Sequence, residues 1–454
     1  MSQRKLMAVL SLAAVVALTA GESRASLSRV EGMSLTVPTL SQFTDDYVNI
    51  YYYPASVVRQ NNLVLAELGN NPTGSSSDGT VISLGAVATG QQSFTVIRNF
   101  PRLGAIAFQM KQSALNNYTA SGSLTNEQLD AIWGKALTNF DFAVRLDITN
   151  SSFEETSNAG GTTSLNRVRG FGVDPFDPYP FGGLFQADLI RSGAGGTGPI
   201  EVNTFGITPG ITIHMSNDNR LEGAVTYRKY SLDRTEVTGG VQGEKWEDDG
   251  GASYAVVGRA FVNQGDRHVW VPAGWYVNDD LSWKVTNVPA AGNIRSADET
   301  YKSYGVGLSD NMRVNDNNLL LWGVQVAQTK HSYERTDGAV AAGEQSLFEE
   351  KTTMVPLVFA AIETDATKWL KVRIGANRSL LSDRTENTTF GTPSTTVTDK
   401  TRTSEFNFSL GTGLRWNNLD VDMTLNEKFP LSGGYILSGD RSTPFTRASA
   451  TYHF

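Results

Sequence analysis

Cysteine is absent from this chain of 454 residues, and charged residues are scarce. Without cysteine there can be no disulfide scaffold, thiolate zinc site, iron–sulfur cluster or cysteine nucleophile. Asp, Glu, Lys and Arg together make up 19% of the chain, against about 25% in an average protein. The formal net charge is −8 and long Lys/Arg runs are missing, so we expect no nucleic-acid partner.

Long apolar runs and catalytic motifs are missing as well. After residue 25 the chain has no apolar stretch of about 18 residues, which argues against a further transmembrane helix. It has no Gly-x-Ser-x-Gly motif, no phosphate-binding loop and no histidine pair at metal-ligand spacing. We therefore expect no enzyme activity, no catalytic residues, no metal site and no cofactor. The four histidines are His214, His268, His331 and His453.

The beginning of the chain has the layout of a secretory signal peptide. Arg4 and Lys5 precede an apolar stretch over residues 6–20, and small residues precede a cleavage point after Ala25. A cut after Ala20 and a retained N-terminal anchor helix are the alternatives. The predicted division is a signal peptide (residues 1–25), an N-terminal periplasmic or plug segment (26–60) and a barrel (61–454).

Apolar and polar residues alternate strictly in many segments of the mature chain. In residues 140–149, for example, Phe142, Val144 and Leu146 share one face, while Arg145 and Asp147 lie on the other. Such alternation predicts a strand with one dry and one wet face. Residues 125–137 also fit a helix, and an alternative count gives 14 strands. The predicted strands, about 16, are 62–69, 92–100, 103–113, 127–136, 140–155, 203–215, 219–236, 252–263, 268–284, 300–314, 318–335, 351–364, 368–384, 404–416, 419–430 and 444–454.

Short and long connections alternate between these strands. Short polar turns such as 264–267 and 315–317 separate long polar loops. A soluble sandwich or propeller, the alternative, has no reason to place every long connection at one end. This placement is instead typical of an all-β, closed antiparallel transmembrane barrel with short periplasmic turns and long extracellular loops, which we predict here. The predicted long loops cover 156–202, 237–251, 285–299, 336–350, 385–403 and 431–443.

The last strand of the chain ends on an aromatic residue. Tyr452 and Phe454 share one face of an alternating segment. This ending resembles the C-terminal strand signature of bacterial outer-membrane barrels. The resemblance implies export to the outer membrane, insertion by the assembly machinery, and contact with outer-membrane lipid and lipopolysaccharide. An interfacial girdle is also expected, formed by Tyr227, Tyr230, Trp270, Trp275, Tyr276, Trp322, Trp369, Trp416 and Tyr452.

If the apolar face meets lipid, the polar face lines the interior. Two compatible roles are expected of these side chains: they filter a small-molecule permeant in water, or they pair with one another to brace the interior, for instance Arg415 with Asp420 or Asp422. A Pro- and aromatic-rich loop could also enter the mouth, with Asp174, Phe176, Asp177 and Tyr179 as constriction candidates. The predicted lumen residues are Arg145, Asp147, Glu222, Arg228, Arg259, Gln325, Lys371, Arg373, Arg415, Asp420 and Asp422.

Residues 45–55 resemble the acidic and aromatic N-terminal segment, followed by Asn-Pro-Ala, of FadL-like barrels and related secretion-system barrels. Tyr53 stands where that family usually has Asn. The resemblance implies a hatch that plugs a barrel for hydrophobic substrates. Three functions follow as expectations. The first is a porin-like channel or transporter for passive passage of small solutes. The alternatives are FadL-like uptake of hydrophobic compounds and a non-conducting scaffold or secretion-associated barrel.

Overall fold

A computed structural model describes most of the chain. The described residues are 26–35, 40–60, 62–70, 90–113, 122–155, 199–216, 218–238, 241–280, 282–286, 295–335, 345–389, 394–425 and 445–454. The signal peptide and the four constriction candidates (Asp174, Phe176, Asp177 and Tyr179) lie outside them. Among the described residues, no helix is long and apolar enough to cross a membrane.

Sixteen strands make up the sheet, two of them in two pieces each. The first eight are β1 (Leu63–Asn70), β2 (Gly90–Phe100), β3 (Gly104–Ser113), β4 (Gly122–Ala136), β5 (Phe140–Glu155), β6 (Pro199–His214), β7 (Arg220–Thr238) and β8 (Val241–Asp248 with Ala252–Gln264). The others are β9 (His268–Asp280 with Trp283–Thr286), β10 (Arg295–Asn315), β11 (Asn318–Arg335), β12 (Gln345–Asp365), β13 (Leu370–Thr389), β14 (Thr395–Trp416), β15 (Leu419–Leu425) and β16 (Phe445–His453).

The sheet closes on itself. Each strand pairs antiparallel with the next along the chain, and β1 pairs with both β2 and β16. Closure runs from Leu63 opposite His453 to Gly69 opposite Arg447. The helix considered for 125–137 is wrong, because these residues belong mainly to β4. The predicted closed antiparallel barrel of about 16 strands is confirmed.

The outer surface of the barrel is apolar. Aromatic side chains ring the end with the short turns, and Tyr227, Tyr254, Tyr276 and Tyr304 form adjacent pairs nearer the other end. An apolar band bordered by girdles of aromatic residues is typical of the exterior of a transmembrane barrel. Exposed side chains of the band include Phe142, Leu146, Ile207, Ile211, Val225, Val256, Val306, Val324, Val358, Ile374 and Phe408.

Two details differ from the sequence prediction. Tyr230 and Trp275 face inward and are buried, so they do not belong to the exterior girdle. Trp275 alternates with Tyr276, so only one of the two can face outward. Much of the predicted loops 237–251 and 385–403 is strand, because Thr- and Val-rich segments continue the β7–β8 and β13–β14 hairpins outward.

Inside the barrel lies a plug made of residues 26–35 and 40–60. It consists of helix α1 (Leu27–Gly32) and three 3₁₀ turns, Leu40–Phe43, Tyr47–Tyr51 and Pro54–Arg59. Many of its apolar side chains have no solvent exposure, among them Val30, Met33, Leu40, Phe43, Ile50 and Val57. Elements this short hold together through tertiary packing.

Candidate functional site

The barrel wall satisfies the backbone of the plug. Short turns leave carbonyl groups without regular partners, and buried carbonyls need hydrogen bonds. Wall side chains from six strands provide them. The bonds run from Arg145 Nη1 to Tyr51 O (3.0 Å), Arg259 Nη1 to Thr44 O (2.7 Å), Asn311 Nδ2 to Phe43 O (2.7 Å), Asn377 Nδ2 to Ser34 O (2.6 Å), Ser409 Oγ to Glu31 O (2.7 Å) and Thr424 Oγ1 to Ser28 O (2.9 Å).

Arg29 of helix α1 is the centre of one ion-pair network. Its guanidinium donates two bonds to Glu363 on β12, from Nε (2.7 Å) and Nη2 (3.1 Å), and also pairs with Asp46 of the plug. Arg373 on β13 bridges Glu363 (2.6 Å) and Asp422 on β15 (2.7 Å). Burial alone would lower the pKa of Arg29, but Asp46 and Glu363 raise it above its ordinary value. The network therefore holds α1 against three strands.

The other face of α1 contacts the closing strands. Glu31 forms a salt bridge with Arg447 on β16 (2.8 Å), and the Tyr47 hydroxyl donates to Glu67 on β1 (2.9 Å). Burial raises the pKa of Glu31 above its usual value, and Arg447 opposes that shift. The plug is thus fixed to both sides of the seam where the first and last strands meet.

A second network surrounds Glu222 on β7, at the end with the short turns. Glu222 accepts from Arg220 (2.8 Å) and Arg259 (2.8 Å) and pairs with Arg59 of the plug. Arg220 also contacts Asp45 of the plug (2.8 Å). Three guanidinium groups on one carboxylate fix the last turn of the plug to β7 and β8.

We call the inward side chains of Asp130, Arg145, Asp147 and Arg228 the charged wall. Arg145 Nε donates to Asp130 on β4 (2.7 Å), and Arg228 on β7 donates to Asp147 on β5 (2.9 Å). This last bond crosses over β6, where Gly206 faces inward. A Cβ at Gly206 would lie 2.4 Å from an Asp147 carboxylate oxygen. The missing side chain is therefore what lets charges two strands apart meet.

Glycine also allows α1 to approach β13 and β14. A Cβ on Gly375 would lie 1.8 Å from the carbonyl oxygen of Met33, and one on Gly411 would lie 2.7 Å from the Cα of Gly32. Both obstacles are backbone atoms, which cannot rotate away. The docked plug therefore requires glycine at these wall positions.

A different inner surface lies on β9 and β12, which we call the apolar wall. Its side chains are Val271, Ala273, Trp275, Val277, Met354 and Leu357, all buried. The Trp275 ring lies over Gly305, and Trp275 Nε1 donates to Ser303 (3.1 Å). Phe43 of the plug reaches the edge of this surface at Gly307 and stacks on Phe359 with ring centroids 5.3 Å apart.

Aromatic side chains continue this surface toward the outer mouth. Trp283 stacks on Tyr333 with centroids 6.2 Å apart, and His331 meets Phe348 edge-on at 5.5 Å. His331 Nε2 lies 2.8 Å from Glu299. This outer cluster was not predicted from the sequence, because its members belong to different strands and meet only through the strand register.

The sequence-predicted lumen residues all lie on the inward face of their strands, and most are buried. Arg145, Asp147, Glu222, Arg259, Gln325 and Arg373 are at most 1% exposed. Arg415 pairs with Asp420 (3.2 Å), whereas Asp422 takes Arg373. Lys371 lies 3.6 Å from Glu363 and 3.2 Å from Asp365. The wall partners not predicted from the sequence are Asp130, Glu363, Arg220, Arg447, Asn311 and Asn377.

Comparison with known proteins gives structural similarity alone. No family model and no curated protein match the chain. A Pseudomonas aeruginosa FadL homologue is 12% identical with a TM-score of 0.44, covering 94% of this chain and 98% of that one. The Acinetobacter baumannii siderophore receptor PiuA is 8% identical with a TM-score of 0.37, covering 87% and 82%. The ferric-catecholate import receptor Fiu from E. coli K12, in its open form, is 9% identical with a TM-score of 0.35, again covering 87% and 82%.

Proposed function

We propose that this chain is an exported outer-membrane barrel that admits small apolar compounds past a plug formed by its own N-terminal segment. The observation that carries the proposal is the state of the interior. The side chains that would line a water-filled bore are instead buried, six of them at most 1% exposed, and Arg145, Glu222 and Arg259 contact the plug directly. This favours uptake of hydrophobic compounds over passive diffusion of polar solutes.

The apolar wall supports the choice of cargo. The ion pairs Arg145–Asp130, Arg228–Asp147, Arg259–Glu222 and Arg373–Asp422 are complete without a ligand, so an apolar molecule lying on Trp275, Val277 and Met354 need not break any of them. Phe43 of the plug covers one edge of this surface. A shift of the plug would therefore lengthen the apolar surface toward the end with the short turns.

The partners follow from the same geometry. The apolar exterior contacts outer-membrane lipid and, in the outer leaflet, lipopolysaccharide, and the last strand together with the terminal Phe454 engages the assembly machinery. The ion pairs of the interior brace the barrel and hold the plug, which makes enzyme activity unnecessary to explain the site.

Planar-bilayer conductance and whole-cell uptake together test the proposal. We expect the intact protein to show no steady ohmic steps, while a variant lacking residues 26–60 conducts, because its charged interior fills with water. Cells producing the intact protein should take up naphthalene faster than cells without it. Ohmic steps from the intact protein would instead support the porin-like function. An intact protein that neither conducts nor raises naphthalene uptake would support a scaffold.

A single substitution gives a milder test of the plug. Gly375→Ala should release α1 and raise conductance, since the new methyl group meets the Met33 carbonyl. Gly223→Ala is the matched control, because the outward Gly223 has its closest neighbour at 3.6 Å. Equal conductance of the two variants would mean that α1 does not close the barrel.

A further inference from the structure

Ser26 is the first described residue, and it lies inside the barrel. Its exposure is 0%, and its side chain caps helix α1 by accepting from the Arg29 amide. The same hydroxyl donates to Asp422 Oδ2 (2.9 Å) on β15. The predicted signal peptide directly precedes Ser26. Its expected cleavage point is the bond between Ala25 and Ser26.

Cleavage at that bond changes the chemistry of Ser26. Hydrolysis consumes one water molecule and leaves a carboxylate on Ala25 and an amine on Ser26, which takes up a proton. The nitrogen of a serine lies about 3 Å from its own Oγ, so the new ammonium falls within about 6 Å of Asp422 Oδ2. A carboxylate at that distance favours the charged form of the Ser26 amine.

We propose that signal-peptide removal creates a buried ionic anchor, the Ser26 α-ammonium against the Asp422 carboxylate, that locks the plug in the barrel. An uncleaved chain cannot form this pair, because a peptide nitrogen carries no charge. The remaining oxygen of Asp422 is bound by Arg373, which in turn holds Glu363 and through it Arg29. Maturation thus adds the last cation to a network that fixes α1 to β12, β13 and β15.

Differential acylation of amines tests the anchor. Intact mass of the purified protein should correspond to a chain that begins at Ser26. In the folded protein its amine should react with acetic anhydride at least ten-fold more slowly than in the unfolded protein, with the exposed Lys135 as internal reference. A chain that begins at Gly21, or equal reaction rates in both states, would overturn the proposal.

Two substitutions on β15 separate the anchor from general burial. Asp422→Asn should expose the amine to acylation. Asp420→Asn should leave it protected, because the Asp420 carboxylate pairs with Arg415 and His453. Equal protection in both variants would show that Asp422 does not hold the amine.

A second measurement covers the case in which Asp422→Asn fails to fold. Chains that begin at Ser26 and at Ala25 are refolded side by side and treated with trypsin. The Ser26 chain should resist cleavage after Arg29, whereas the chain with one extra residue should be cut there. Equal resistance of both chains would contradict the anchor, whatever the outcome for the variant.

Discussion

The charged wall and the apolar wall lie at similar depth in the barrel, and both are buried. They differ in chemistry, because one buries charged side chains in pairs and the other buries apolar side chains. On the charged wall, Asp147 has no solvent exposure and contacts both Arg145 (3.5 Å) and Arg228 (2.9 Å). On the apolar wall, Val271 and Val277 are just as buried and need no partner. The first solution fixes geometry, because buried charges must stay paired. The apolar wall instead leaves a surface along which an apolar molecule can move.

This difference separates two tasks in the interior. Side chains of the charged wall bind the plug backbone, as Arg145 does at Tyr51. Beside the apolar wall, the Phe43 ring of the plug stacks on Phe359 and lies over Gly307, and the Phe43 carbonyl accepts from Asn311. We infer that an apolar molecule passes along the apolar wall, where the side chains that face the plug carry no charge.

The sharpest way to break the comparison is to remove one charge. Arg145→Met leaves Asp130 and Asp147 with a missing cation in a dry interior, and we expect it to lower the free energy of unfolding by about 3–5 kcal/mol. Urea unfolding in lipid vesicles measures this. Lys135→Met, at an exposed position on β4, is the control and should change stability by no more than about 0.5 kcal/mol. A small effect at Arg145 would mean that water reaches the charged wall.

A milder change brings polarity to the apolar wall. Val277→Thr conserves volume but buries a hydroxyl at a position 1% exposed, at an expected cost of about 1–3 kcal/mol. Naphthalene uptake should slow as well, because the cargo must pass a polar group. Val397→Thr, half-exposed on the protruding β13–β14 hairpin, should change neither quantity. Normal uptake by Val277→Thr would separate the apolar wall from transport.

The strands were predictable because each one carries its own signal. Alternation places Phe142 outward and Arg145 inward from neighbouring residues alone, so the barrel and its inward faces follow from local sequence. The girdle prediction failed at Tyr230 and Trp275 because aromatic residues occur on both faces. The position of an aromatic residue in the apolar/polar alternation of its strand decides which face it occupies. Its closeness to a strand end carries no such information.

The plug contacts were not predictable from the sequence. Arg29 meets Glu363 across 334 positions of chain, and Asp147 reaches Arg228 only because Gly206 leaves a gap on the strand between them. No periodicity carries such information, since it depends on strand register around a closed sheet. Inward glycines opposite carboxylates, as in Gly206 beside Asp147 and Gly413 beside Asp422, become a usable signal only once the strand register is known.

The smallest expected effect concerns the hydrogen bond between Trp275 and Ser303 on the apolar wall. Ser303→Ala removes the acceptor of Trp275 Nε1 and should lower the free energy of unfolding by about 0.5–1.5 kcal/mol. A double-mutant cycle with Trp275→Phe measures the coupling between the two side chains. If the effects are additive, the ring is held over Gly305 by packing alone. A non-additive result means instead that the indole is oriented by Ser303, and that even the apolar wall depends on one polar contact.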